Sequence, residues 1–153
     1  METRETSVAT SVRPIPEGFH SVTPALRVPG VATLIDFLTQ AFDAKEIARF
    51  AGPDGSIMHA EIRIGDSIVM MGEPGDRFSP MPASLHLYVP DVDATYRRAI
   101  AAGATSLREP ADQFYGDRSA GVRDSGGNEW WISTHIEDVS PEEMKRRAAA
   151  AGR

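Results

Sequence analysis

The chain of 153 residues contains no cysteine, few basic side chains and no long apolar run. Without cysteine there is no disulfide framework, no thiolate nucleophile and no thiolate metal site. The 16 basic residues face 22 acidic ones, giving a net charge of −6, which disfavours a nucleic acid as partner. No apolar run approaches the roughly 20 residues of a membrane helix, and the first residues do not resemble a signal peptide. We therefore expect a cytoplasmic protein that binds neither nucleic acid nor membrane.

One pattern of residues occurs twice. Over 84–104, an alternating apolar stretch is followed by Pro90 and then by apolar residues at helical spacing. Residues 22–44 repeat this order, and Val28-Pro29 aligns with Val89-Pro90 at a displacement of 61 residues. Two copies are too few for a solenoid, which needs about three or more repeats. The repeat therefore predicts a duplicated half-domain that closes into one body.

Each copy continues with signals for three further strands. In the first half we predict a helix over 31–42 and strands over 21–28, 45–50, 57–64 and 67–71. In the second half we predict strands over 84–89, 105–109, 117–123 and 128–134, with a loop over 110–116. The fold class is therefore α+β, with two tandem βαβββ modules whose curved mixed sheets surround a cavity.

A chain of this length is sufficient for one domain with a proper core. We expect that domain over 17–139, with modules at about 20–72 and 83–135 and a linker over 73–82 that contains three prolines. Residues 1–16 are polar and are predicted to form a flexible tail. Residues 140–153 should form a C-terminal helix, because Ser140, Pro141 and Glu143 make a capping box with proline at the first helical position.

The duplicated order resembles the vicinal oxygen chelate superfamily, which includes glyoxalases, bleomycin-resistance proteins and extradiol dioxygenases. Within it the chain is most similar to the PhnB-like branch. The matching phrases are HAEIRIGD at 59–66, LHLYV at 85–89, FYGDR at 114–118 and THIEDVSPEEM at 134–144. The resemblance implies the fold and a homodimer. It leaves the chemistry open, because the superfamily spans metal enzymes and metal-free binders.

The resemblance also implies where a metal would bind. Metal enzymes of the superfamily take ligands from the first and last strands of each half, which correspond here to Thr23, Met70, Ser84 and Trp131. None of these side chains offers the imidazole or carboxylate that a divalent ion favours. We therefore expect no metal and no cofactor at these positions. A displaced metal site around His86 and Glu129 is an alternative, since each lies two residues along the strand from one of the four positions.

Further candidate residues belong to strand faces that no helix covers, or to a loop. Tyr88 and Trp131 could stack on a planar ligand, or they could fill the cavity. His59 and Glu61 could act as acid and base, or they could form an exposed ion pair. Arg118 could grip a carboxylate or phosphate, or it could tie its loop to the last hairpin.

The leading hypothesis is a metal-independent protein that binds a small planar or amphipathic molecule in its cavity. The predicted ligand-binding residues are Ser84, His86, Tyr88, Trp131, Thr23, Met70 and Arg118. One alternative is a lyase, isomerase or dioxygenase, with His86, Glu129, His59 and Glu61 as candidate catalytic residues. Another alternative is a structural dimer whose cavity is filled by side chains.

Overall fold

The structure, a computed structural model, describes residues 11–152 and confirms the predicted two-module α+β fold. In chain order the elements are β1 (Ala25–Arg27), α1 (Val31–Phe42), β2 (Lys45–Ala51), β3 (Ile57–Ile64), β4 (Ser67–Gly72), β5 (Ser84–Tyr88), α2 (Val92–Ala101), β6 (Thr105–Asp112), β7 (Asp117–Arg123), β8 (Glu129–His135) and α3 (Pro141–Ala150). The βαβββ order therefore occurs twice and is followed by one terminal helix.

The strands form two mixed sheets of four strands each, in the orders β1-β4-β3-β2 and β5-β8-β7-β6. In both sheets the first strand of the module runs parallel to its last strand. Ala25 pairs with Met70 in the first sheet, and His86 pairs with Trp131 in the second. Both residues of the second pair lie 61 positions after their counterparts, so the strand register confirms the repeat seen in the sequence.

One helix covers one face of each sheet, and α1 and α2 also pack against each other. The buried face of α1 includes Leu34 and Leu38, which are fully buried in the same core as Ile62 of β3. Between the modules, the ring of Phe42 lies 5.1 Å from that of Trp130. A single hydrophobic core therefore extends through both modules.

A buried carboxylate organises the hairpin between β7 and β8. Asp124 is 5% exposed and accepts hydrogen bonds from Trp130 Nε1 at 2.8 Å and from Asn128 Nδ2 at 3.0 Å. Asn128 Oδ1 in turn accepts from the backbone N–H of Ala83 at 3.0 Å. In the sequence these residues are only the connection between two predicted strands, whereas the structure shows that they join the linker end, the turn and a core tryptophan.

Two predicted strand bounds are wrong. The second-half strand predicted over 105–109 continues to Asp112, so the first three residues of the predicted 110–116 loop belong to β6. Pro110 is tolerated there because β6 is an edge strand that pairs only with β7. The first strand is shorter than predicted, since β1 covers only Ala25–Arg27 in its pairing with β4.

Two apolar residues are exposed although each continues a pattern expected to be buried: Met58 alternates with Ala60 and Ile62 in β3, and Ile100 follows Tyr96 at helical spacing in α2. Met58 is 54% exposed whereas Ile57 is buried, because the β2–β3 register shifts between Phe50 and Ala51 and reverses the alternation at the start of β3. In α2, Ile100 is 38% exposed.

The C-terminal helix of the described chain is tied to the domain. Ser140 Oγ caps α3 by accepting from the N–H of Glu143 at 3.2 Å, as predicted. The helix is tied to the domain by Arg147, which donates to Glu137 at 2.7 Å and to the carbonyl of Phe114 at 3.3 Å. Residues 1–10 of the predicted tail lie outside the described residues. Within residues 11–152, every helix is too short or too polar to cross a bilayer.

Candidate functional site

Each sheet has a second face that its helix does not cover. We call the uncovered face of the second sheet the C-terminal open face; its residues are Ser84, His86, Tyr88, Arg108, Asp117, Ser119, Gly121, Arg123, Glu129, Trp131 and Ser133. We call that of the first sheet the N-terminal open face; its residues are Ala25, Arg27, His59, Glu61, Met70 and Gly72. These two faces include five of the predicted ligand-binding residues: Ser84, His86, Tyr88, Trp131 and Met70. Thr23 precedes β1, and Arg118 lies on the other side of β7, where it faces α2.

The centre of the C-terminal open face is one row of four residues that crosses the whole sheet. Arg108 of β6 pairs with Gly121 of β7, Gly121 pairs with Trp131 of β8, and Trp131 pairs with His86 of β5. Because paired residues point to the same side of a sheet, these side chains are neighbours. The register therefore brings the predicted residues His86 and Trp131 together with an arginine that the sequence analysis did not select.

Gly121 lets the indole of Trp131 lie against the sheet. A Cβ atom placed on Gly121 would be 2.7 Å from Cε3 and 2.9 Å from Cη2 of that ring, and closer still to Cζ3. Such distances are well below the roughly 3.5–4.0 Å of a normal carbon contact. Only glycine therefore leaves room for the ring, which lies over β7 with its other face partly open.

Arg108 lies next to this ring. Its guanidinium carbon is 5.1 Å from the Trp131 ring centroid, within cation–π range, and Nη2 donates to Ser119 Oγ at 2.9 Å. The two residues line a pocket of about 240 Å³ together with His86, Ser119 and Tyr115. The pocket thus combines aromatic surface with hydrogen-bond donors.

A chain of hydrogen bonds runs along the end of this face. Asp117, 3% exposed, accepts from the hydroxyl of Tyr88 at 2.8 Å and bonds to His135 Nδ1 at 2.8 Å, while His135 Nε2 bonds to Asp138 at 2.7 Å. Asp138 and then Asp117 raise the pKa of His135 above its ordinary value. The same carboxylate, as acceptor, raises the pKa of Tyr88. These shifts favour a neutral phenol and a protonated imidazole.

The N-terminal open face holds the other candidate pair. His59 Nε2 lies 3.2 Å from Glu61 Oε1, and both side chains are partly exposed. Glu61 and Met70 also line a pocket of about 490 Å³ with Thr23 and the segment 14–21. The predicted residues Thr23 and Met70 are therefore brought together, although on a different sheet from Trp131.

A second pocket of about 490 Å³ lies between the two modules. The N-terminal module contributes Thr23 and Val69, and the C-terminal module contributes His86 and Trp130. His86 thus borders both this pocket and the pocket at Arg108.

Arg118 and the remaining candidates occupy other positions. Arg118 forms a two-pronged bond with Asp93 of α2, at 2.8 and 2.9 Å, and donates to Asp112 at 3.1 Å. These partners belong to α2 and β6 and not to the last hairpin, where the structural interpretation of Arg118 expected them. The predicted role of Arg118 in ligand binding stays untested. Ser84 is exposed opposite Glu129, whose carboxylate is 3.9 Å from Arg123.

The residues present do not fit the metal site of the superfamily. A thioether, an indole and two hydroxyls stand at the four corresponding positions, and the thioether and the indole belong to different sheets. Among residues 11–152, no group of three or more His, Asp or Glu side chains is placed to hold an ion.

Sequence reasoning missed three residues of the C-terminal open face: Arg108, Gly121 and Asp117 as a buried acceptor. An isolated glycine within a strand often marks the close approach of another group, so Gly121 offered a usable signal. Arg108 offered none, because its position opposite Gly121 depends on register shifts on both sides of it in β6.

The chain belongs to the glyoxalase/bleomycin resistance protein/dioxygenase superfamily, whose family model matches residues 18–132. An uncharacterized protein of Mycobacterium bovis is 36% identical over 143 residues, covering 86% of this chain and 94% of that protein. An uncharacterized protein of Mycobacterium tuberculosis H37Rv is equally similar, and the match covers 84% of it.

Solved structures show the same fold. TioX from Micromonospora sp. ML1 has a TM-score of 0.61 and 29% identity, covering 75% of this chain and 96% of that one. A glyoxalase/bleomycin resistance protein/dioxygenase family enzyme from Burkholderia phytofirmans has a TM-score of 0.59 and 22% identity, with 75% and 96% coverage. A PhnB protein from Bacillus cereus has a TM-score of 0.60 and 18% identity, with 75% and 99% coverage.

Proposed function

We propose that the protein binds a small planar molecule on its C-terminal open face without the metal of the superfamily. The observation that carries this proposal is the indole of Trp131, held flat by Gly121 on a face that no helix covers. Stacking on a fixed aromatic face suits a planar ligand, since the ring loses no freedom on binding. His86, Tyr88 and Ser84 border this surface along β5 and would orient the ligand.

Tryptophan fluorescence tests this proposal because the two tryptophans differ in position. Trp130 is 2% exposed in the core, whereas Trp131 is half-buried on the open face. A neutral bicyclic probe such as 2-naphthamide should change the emission of the wild type and of Trp130→Phe. The same probe should leave Trp131→Phe unchanged. An equal response in Trp131→Phe would place binding elsewhere, and no response in any folded variant would refute the proposal.

We also propose that the protein is a homodimer of the PhnB-like branch. Support for the dimer comes from exposed apolar side chains on and beside the open faces, among them Tyr88 at 60% and Phe50 at 62%. Support for the branch comes from the shared phrases and from the Bacillus cereus fold. Light scattering after gel filtration should give twice the chain mass of 16.6 kDa, and a monomer would refute the dimer. The cytoplasmic location stays a prediction.

An acid–base enzyme is the second candidate, favoured by the contact between His59 and Glu61 on the N-terminal open face. A histidine next to a carboxylate can accept and return a proton during turnover. If the wild type catalyses a reaction, loss of that activity in both His59→Gln and Glu61→Gln, with retention in Trp131→Phe, would support the acid–base enzyme over a protein that only binds its ligand.

A displaced metal site around His86 and Glu129 has a direct test. We expect protein purified without chelator to contain no stoichiometric metal, and Zn²⁺, Ni²⁺, Mn²⁺ or Fe²⁺ to leave its melting temperature unchanged. A stoichiometric metal that disappears in His86→Ala would instead favour a metal-dependent lyase, isomerase or dioxygenase.

A further inference from the structure

The arginine of the open-face pocket lacks the partner that comparable arginines have. Within residues 11–152, three arginines are partly buried: Arg108, Arg118 and Arg147. Arg118 pairs with Asp93, and Arg147 pairs with Glu137. Among the described residues Arg108 has no carboxylate within ion-pair distance; a hydroxyl and an aromatic ring are its partners instead. Its positive charge is therefore not neutralised by that part of the chain.

The hydrogen-bonding capacity of this guanidinium is also incomplete. Arg108 Nε is buried and has no acceptor, while Nη2 donates to Ser119. A buried donor without an acceptor costs free energy, and most buried polar groups in proteins are satisfied. An acceptor that reaches the guanidinium edge would add to the single hydrogen bond that Ser119 provides.

The other side chains of the pocket select the charge and shape of that acceptor. His86, Tyr115 and Ser119 can each donate a hydrogen bond, and the lining contains no carboxylate. A cationic ligand would therefore meet Arg108 without any compensating charge. The indole of Trp131 forms a flat wall, and a volume of about 240 Å³ accommodates only a small ring system.

We propose that this pocket selects a planar aromatic carboxylate, with Arg108 as the residue that recognises the carboxylate. The ring stacks on Trp131 and the carboxylate meets the guanidinium, whose planar fork matches its geometry. This inference rests on the proposed function, since it assumes that planar molecules bind to the C-terminal open face. It adds the chemical class of the ligand and a specificity-determining residue.

A pair of probes with one shape and different charge tests the inference: 2-naphthoate and 2-naphthamide. For the wild type we expect the Kd of the carboxylate to be about tenfold lower than that of the amide, because a charge-assisted hydrogen bond to Arg108 is stronger than a neutral one. Raising the ionic strength should weaken binding of the carboxylate and leave that of the amide unchanged. Titrations are followed by calorimetry, with tryptophan emission as a second signal.

Arg108→Gln should remove this preference, so that both probes bind with the Kd of the amide. Arg123→Gln is the matched control, because Arg123 belongs to the same sheet face but is exposed and lies outside the pocket lining; it should bind both probes as the wild type does. Unchanged amide binding in Arg108→Gln shows that the pocket is intact. If Arg108→Gln no longer binds the amide, Arg108→Lys is the test variant. The inference then requires that Arg108→Lys binds the amide as the wild type does and keeps part of the preference for the carboxylate.

The two proposals fail in different ways. Equal wild-type Kd values for the two probes, or a preference that survives in Arg108→Gln, would overturn the inference and leave binding to the open face in place. If neither probe binds to the wild type, both the inference and the proposed function are overturned.

Discussion

The substitution Gly121→Ala tests the position of Trp131 directly. The added methyl group would occupy space now filled by the indole, at 2.7 Å from Cε3 and 2.9 Å from Cη2. The ring must therefore move by roughly 1 Å to restore normal contacts. That movement separates the indole from β7 and changes its distance to Arg108, now 5.1 Å from the guanidinium carbon to the ring centroid.

Two terms of opposite sign determine the change in the free energy of unfolding. Forcing a methyl group into an occupied site costs about 1–3 kcal/mol. Replacing a strand glycine by alanine raises the free energy of unfolding by about 0.5–1 kcal/mol. The backbone adds no strain, because Gly121 is not among the glycines with positive φ. We expect Gly121→Ala to destabilise the protein by about 1 kcal/mol, the difference between the two terms.

A double-mutant cycle with Trp131→Ala isolates the clash. Without the indole the methyl group has space, so Gly121→Ala should stabilise that background by about 0.5–1 kcal/mol. Urea unfolding of the four proteins, followed by far-ultraviolet circular dichroism, gives the coupling energy, which we expect to be about 2 kcal/mol. Equal effects in both backgrounds, within about 0.5 kcal/mol, would show that Trp131 does not lie on Gly121. Gly121→Ala alone should also weaken the binding of 2-naphthamide.

Three further predictions concern parts of the fold outside the pocket. Asp124→Ala leaves buried donors without their acceptor and should lower the free energy of unfolding by about 3 kcal/mol, measured with urea; a loss below about 1 kcal/mol would contradict the buried tie. Because the pKa of His135 is raised in the folded protein, its ion pairs stabilise the fold fully below the pKa of the unfolded state, and this stabilisation is lost as the pH rises through the pKa of the folded state. The melting temperature should therefore fall over that pH range. The fall should be absent in His135→Gln and smaller in Asp138→Asn. Arg147→Gln should speed amide hydrogen exchange in α3 while Lys145→Gln does not, and equal exchange in both would argue against the arginine tie.

Local patterns in the sequence were sufficient for most of the fold. The helix over 31–42 and the strands over 57–64 and 117–123 have their predicted bounds, because hydrophobic periodicity is a property of neighbouring residues. The displacement of 61 residues also carried information on strand pairing, since Ala25–Met70 and His86–Trp131 follow it. Predictions failed where β6 continues through Pro110 and where the register shift beside Phe50 exposes Met58.

The candidate site was predicted only in part. The strand alternation placed His86, Tyr88 and Trp131 on an uncovered face, and the structure pairs His86 with Trp131 across two strands. Arg108 joins them only through the register of β6, whose two shifts have no local signature in the sequence.

By itself, the sequence determined the duplicated βαβββ order and the absence of metal-type side chains at the four positions that the superfamily uses. Both are properties of residue type and spacing along the chain. The tertiary structure alone decided that Trp131 lies against Gly121 and next to Arg108, which has no carboxylate partner among residues 11–152, and that Asp124 is buried beneath the hairpin. Each arrangement depends on which strands become neighbours and in what register, and those contacts join residues whose positions along the chain do not specify them.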